Sequence, residues 1–142
     1  MSEKVIVVTG AFATHTTKLY NYYVCPINHD LNNIEYLAVN YLDQLYYLGK
    51  VISNPIICNY DGNNRITGTR GLREEIKVDL KEFRSMLRPG DFQLIPLDPI
   101  IGGCNHLNLE YRRRGAFVNT VPGRIYFNNL SEFFQAHQQL ND

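Results

Sequence analysis

Apolar and polar positions along this chain change period every few residues, and short β-prone runs outnumber helical ones. Lys4–Thr9 (KVIVVT) is a continuous apolar run that ends at Gly10, which predicts a buried strand. The small, polar stretch Ala11–Thr17 predicts a turn. Lys18–Cys25 is aromatic and β-branched and predicts a second strand, stopped by Pro26. Residues 27–33, rich in Asn and Asp, read as a loop. Ile34–Leu42 and Leu45–Ser53 are two β-prone runs parted by Asp43-Gln44, the pattern of a hairpin. Pro55–Tyr60 continues the second arm past a bend. Asp61-Gly62-Asn63-Asn64 is the clearest loop signal, because Asn, Asp and Gly tolerate left-handed backbone angles.

Between Arg70 and Arg88 two periods compete. Ile76, Leu80, Phe83 and Leu87 recur as one helix face would, while Glu75–Leu80 alternates as a strand would. The expectation is a strand to Val78, then a short helix from Asp79 that stops at Arg88-Pro89-Gly90. Phe92–Leu97 predicts a strand, placed at a sheet edge because Pro96 cannot donate to a ladder. Pro99–Asn105 reads as a loop. Leu107–Tyr111 and Ala116–Val121 alternate around Arg112-Arg113-Arg114-Gly115, which predicts a hairpin with an arginine tip. Arg124–Phe127 is a last short strand. Asn129 followed by Glu132 resembles a capping box opening a helix over about 130–139. Many short strands with few helices predict one domain over residues 1–142. The expected fold is β-rich α+β: a small, mostly antiparallel β-barrel with a short internal helix and a C-terminal helix.

Size supports a single core, since 142 residues divided in two would leave two marginal ones. No apolar run approaches the roughly 20 residues of a membrane-spanning helix. The start, Met1-Ser2-Glu3-Lys4, is too short and acidic for an export signal, so a cytoplasmic protein with no membrane partner is expected. Cys25, Cys58 and Cys104 are odd in number and widely spaced, which argues for thiols over a disulfide framework. Together with His29 and His106 they match no common zinc spacing, so no metal and no cofactor is expected. Formal net charge is zero, which argues against sequence-blind coating of long duplex DNA. The charge is unevenly placed, however: every arginine lies after residue 64.

That imbalance directs attention to Arg112, Arg113, Arg114 and Arg124. Guanidinium groups bind phosphate through paired hydrogen bonds and stack on bases. In the predicted hairpin Arg112 and Arg114 share a face, with Asn119 and Arg124 nearby. With 10 tyrosines and no tryptophan, aromatic walls would come from tyrosine. The pairs Tyr22-Tyr23 and Tyr46-Tyr47 each put one ring on either face of a strand, so one ring of each pair can line a common cleft. Asn119 would then hydrogen-bond a base edge. A competing pattern is Asp61 with Glu75-Ile76-Lys77, an echo of the D…E-x-K arrangement by which metal-dependent nucleases hold Mg²⁺. None of the four histidines stands beside a carboxylate and a nucleophile at a spacing that one element would bring together, which argues against an enzyme.

Tyr46–Pro55 (YYLGKVISNP) resembles the strand followed by S-x-P in PUA-like β-barrels. Leu80–Asp91 (LKEFRSMLRPGD) resembles the helix, x-P-G-D and strand of the EVE and ASCH members of that superfamily. The resemblance covers about a third of the chain and implies a compact barrel with a cleft for a nucleotide or modified base. The tryptophan motif of EVE proteins has no counterpart in a chain without Trp, so no individual ligand residue is carried over. The expected function is non-catalytic recognition of a nucleotide or a modified or single-stranded nucleic acid element. The alternatives are a Mg²⁺ nuclease using Asp61, Glu75 and Lys77, and a protein-interaction domain whose aromatic surface joins a homodimer.

Overall fold

The computed structural model describes residues 4–27, 34–41, 44–101, 111–113, 124–135 and 137–139. In chain order the first elements are β1 (Val5–Thr9), α1 (Ala11–Tyr20), β2 (Tyr22–Pro26), β3 (Tyr36–Tyr41) and β4 (Gln44–Val51). Next come β5 (Ile56–Tyr60), β6 (Ile66–Thr67), α2 (Glu74–Glu82), a 3-10 turn (Arg84–Met86) and β7 (Gly90–Ile101). The last are β8 (Tyr111–Arg113), β9 (Arg124–Phe127), α3 (Leu130–Gln135) and β10 (His137–Gln139). The fold is β-rich α+β.

β1 explains itself. Val5, Ile6, Val7 and Val8 are each at most 1% exposed, because both faces of this strand are covered. A strand buried on both sides reads as a continuous apolar run, not an alternation. It pairs parallel to β3, Val5 opposite Tyr36, and antiparallel to β9, Val5 opposite Phe127. The even positions Ile6 and Val8 join Leu37, Val39 and Tyr47 under Ala13 of α1. The odd positions Val5 and Val7 join Ala38, Leu45 and Leu48 under Phe133 of α3. A third cluster packs Ile76 and Leu80 of α2 on Tyr22, Cys58, Phe92 and Leu94.

The ladder runs β6-β5-β7-β4-β3-β1-β9, with β2 on the second edge of β7 and β8 joining β4 to β10. Among the described residues β6 and β9 do not pair, so the expected closed barrel is not formed and the sheet is open. β7 accounts for much of this shape. Its first half lies between β2 and β5, and its second half pairs with β4. The strand therefore passes from one sheet to the other.

Three expectations are corrected. Phe92–Leu97 is central, not an edge. Pro96 is tolerated because pairing with β4 ends at Leu97 opposite Val51, and pairing with β5 starts at Leu94 opposite Ile56. Toward β2 it stands opposite Tyr22, and on its other side its carbonyl accepts from Ile52 N–H at 3.3 Å. Glu75–Val78 is helix, not strand, since Ile76 and Leu80 one turn apart bury together. Ala11–Thr17 is helix, not turn. Its buried face is Ala13, Thr16 and Thr17, and the Thr17 hydroxyl is satisfied by the Ala13 carbonyl at 2.7 Å.

The C-terminal region also departs from expectation. Tyr111–Arg113 is a strand between β4 and β10, so Arg112 and Arg113 are not at a hairpin tip. The closing helix ends at Gln135, and His137–Gln139 returns as β10. Its start is capped much as expected: Asn129 Oδ1 accepts from Glu132 N–H at 2.8 Å, and Glu132 accepts from Asn128 N–H. The hairpin β3–β4 forms, with a register shift that skips Tyr46.

Candidate functional site

α1 follows β1 through Gly10, whose φ of 133° suits glycine and carries the chain from sheet to helix. Thr14 closes the first turn by donating to the Gly10 carbonyl at 2.8 Å. The helix stops at Asn21, a left-handed residue whose N–H bonds back to Thr17, and β2 begins at once. α1 thus presents Phe12 in its first turn and His15 one turn on.

His15 meets α2. Its Nε2 donates to Asp79 Oδ1 at 2.7 Å, and the Tyr22 hydroxyl donates to Asp79 Oδ2 at 2.7 Å. Asp79 is 3% exposed, on the same helix face as Ile76 and Leu80. Burial, and then the carboxylate beside it, push the Tyr22 hydroxyl far above its ordinary pKa. The His15 ring lies 4.4 Å from the Phe83 ring and is stacked with Phe12 at 6.3 Å. A carboxylate orienting an imidazole is half of a general-base device. Among the described residues no hydroxyl or thiol is hydrogen-bonded to His15, and Tyr22 occupies the second carboxylate oxygen. The network ties α1, β2 and α2 together.

Beside the first turn of α1 opens a cavity of about 400 Å³. Phe12, Met86, Leu87, Pro89 and Phe92 give it apolar walls, with Arg88 and Asp91 as its charged groups. Most of this lining comes from the segment that leads from α2 through Pro89-Gly90-Asp91 into β7. Phe12 and Arg88 were not singled out by sequence reasoning, because Phe12 fell in a predicted turn and Arg88 marked a predicted helix stop.

Of the four tyrosines read as a wall, two are core residues and two are half-buried. Tyr22 is 1% exposed and Tyr47 is 0% exposed, each with its ring in a core cluster. Their hydroxyls are used internally, that of Tyr47 by Asn21 Oδ1 at 3.2 Å. Tyr23 is half-buried against the cluster under α1, and Tyr46 is half-buried at the register shift. The reason is the one that separates adjacent rings: both faces of these strands are covered.

The arginines fare differently. Arg114 and Asn119 lie outside the described residues, as do Cys104 and His106. Arg112 stands opposite Gln44 in β4, and Arg124 opposite Val8 in β1. Through Gln44–Tyr41 and Val8–Val39 the register puts both positions on the sheet face that α1 covers, at the end where α1 begins. Four strand spacings separate them, roughly 19 Å in a flat sheet.

The nuclease constellation is dispersed into other bonds. Asp61 Oδ1 accepts from the N–H groups of Asn63, Asn64 and Arg65, which hold its carboxyl below the usual range. Glu75 pairs with Arg73 at 3.4 Å and Lys77 with Glu74 at 3.2 Å. Among the described residues no three His, Cys, Asp or Glu side chains are grouped to hold a metal. Cys25 and Cys58 are buried in different clusters, and burial pushes the Cys58 thiol up. No helix among the described residues is long and apolar enough to cross a membrane.

Comparison of the chain with protein-family models, with curated proteins and with solved structures finds no match.

Proposed function

We propose that this chain is a non-catalytic binding domain for a nucleotide or a short single-stranded nucleic acid element. The observation that carries the reading is the cavity at the first turn of α1, where Phe12 and Arg88 share one space with Met86 and Pro89. An aromatic face accepts any base by stacking, and a guanidinium accepts phosphate or stacks on the ring. The cavity, at about 400 Å³, lies within the size range of small-molecule sites. A longer ligand would bring in Arg112 and Arg124, at strand positions toward one end of the sheet, as further phosphate contacts. The PUA-like resemblance belongs to the same reading, because its helix and x-P-G-D segment is the one that lines the cavity.

The experiment is equilibrium binding of nucleoside mono-, di- and triphosphates and of a short single-stranded oligonucleotide to wild type, Phe12→Ala and Arg88→Gln. Loss of one stacking face weakens binding roughly fivefold to a hundredfold. Affinity unchanged in both variants, or no binding of any phosphate-bearing probe, overturns the proposal.

A further inference from the structure

We infer that the segment Asp61–Thr69, a loop that leads into and out of β6, and the exposed side of α2 form a second, separate site for a compact terminal phosphate group. Arg65 on the loop faces Lys77 and Lys81 on α2 across a cavity of about 270 Å³. Asn64 and Thr69 add an amide and a hydroxyl to its rim, over the buried Leu80. The cations come from two different elements and converge on a concavity, whereas a solvated helix face spreads its charges outward.

The loop is built to hold its half of the site. Asp61 accepts from three successive N–H groups, those of Asn63, Asn64 and Arg65, so the backbone carrying Asn64 and Arg65 is fixed before any ligand arrives. Asp61 and Glu74, which bond to the backbone of Arg65 and to Lys77, do not line the cavity. Asp61 spends one oxygen on its own loop, and Glu74 bonds Lys77 at 3.2 Å. The lining itself carries three cations, Arg65, Lys77 and Lys81, and no carboxylate, on a protein of zero formal charge. Its volume suits a mono- or diphosphate. Phosphate oxygens take charge-assisted hydrogen bonds from Arg and Lys, stronger than neutral ones.

This site shares no residue with the cavity beside Phe12, so the two readings fail separately. The test is a ¹H–¹⁵N NMR titration with inorganic pyrophosphate at fixed ionic strength, on wild type and on Arg65→Gln/Lys81→Gln. Arg65 and Lys81 are exposed, and retained peak dispersion shows that the double variant folds; Lys81→Gln alone serves if it does not. The expected result is saturable shifts confined to residues 64–69 and 77–81, with affinity at least about tenfold lower in the variant. Linear, unsaturable shifts over the whole basic surface overturn the inference, as does equal affinity in the variant. A parallel titration with a short oligonucleotide lacking terminal phosphates serves as the control. If that probe alone shifts these residues, the site reads phosphodiester backbone and the terminal-phosphate assignment is wrong.

Discussion

Replacing Asp79 by alanine removes the acceptor at the junction of α1, β2 and α2. Tyr22 is 1% exposed, so its hydroxyl loses a 2.7 Å bond to a carboxylate with no water to replace it. An orphaned buried donor costs about 1–3 kcal/mol, and bonds to charged acceptors lie at the upper end. His15, with a quarter of its side chain exposed, recovers part of its loss from solvent. The expectation for Asp79→Ala is therefore about 3 kcal/mol of lost stability, and for Tyr22→Phe about 1.5 kcal/mol. The double variant leaves no orphaned hydroxyl, so its cost falls short of the sum by at least about 1 kcal/mol. Urea unfolding supplies all three values, provided the slope with denaturant is unchanged. An Asp79→Ala cost below about 0.5 kcal/mol, or strict additivity, refutes the network as a tertiary clamp.

The same network sets an alkaline limit: Tyr22 keeps its proton in the folded chain beyond the pH at which the unfolded chain releases it, so stability holds below about pH 10 and falls above it. Tyr22→Phe lacks that component, and equal alkaline losses in both proteins contradict it. At Asp61 the carboxyl is depressed, so its hold on the loop is present above the ordinary Asp range and lost as pH falls through the folded value. Asp61→Ala speeds amide exchange at Asn63, Asn64 and Arg65, and unchanged exchange counts against the loop's role. Gly68 has φ of +83°, and an added Cβ would sit 2.7 Å from the Ile57 carbonyl, so Gly68→Ala costs about 1–3 kcal/mol in thermal unfolding. If Arg112 and Arg124 contact phosphates, Arg112→Ala/Arg124→Ala lowers the salt slope of oligonucleotide binding by up to about 1.4, and an unchanged slope removes them from the interface.

Sequence patterns carried the strands further than the helices. β1, the β3–β4 hairpin and the Asn129–Glu132 cap were legible because their signals are local: an apolar run, a polar break, a capping pair. α1 was not, because its buried face is Ala13, Thr16 and Thr17, and threonines whose hydroxyls bond to helix carbonyls look polar to any periodicity. Pro96 misdirected the reading of β7, since its tolerance depends on where β4 hands over to β5. In the candidate site, Asp79 sits as a carboxylate on the apolar face between Ile76 and Phe83, a signal hidden by reading Glu75–Val78 as a strand. Its partner His15 lies 64 residues away, beyond reach of a local pattern. Tyr22 and Tyr47 show the opposite failure, since an aromatic suited to a ligand wall is equally suited to a core.

The central claim is that a base stacks on Phe12 while Arg88 meets phosphate. Its most direct measurement is the set of intermolecular nuclear Overhauser effects between bound nucleotide and protein, recorded at saturating ligand. Contacts from base protons to the Phe12 ring and the Met86 methyl, with the sugar-phosphate side toward Arg88, are the predicted result. Saturation accompanied by contacts elsewhere, and none to Phe12, contradicts the account.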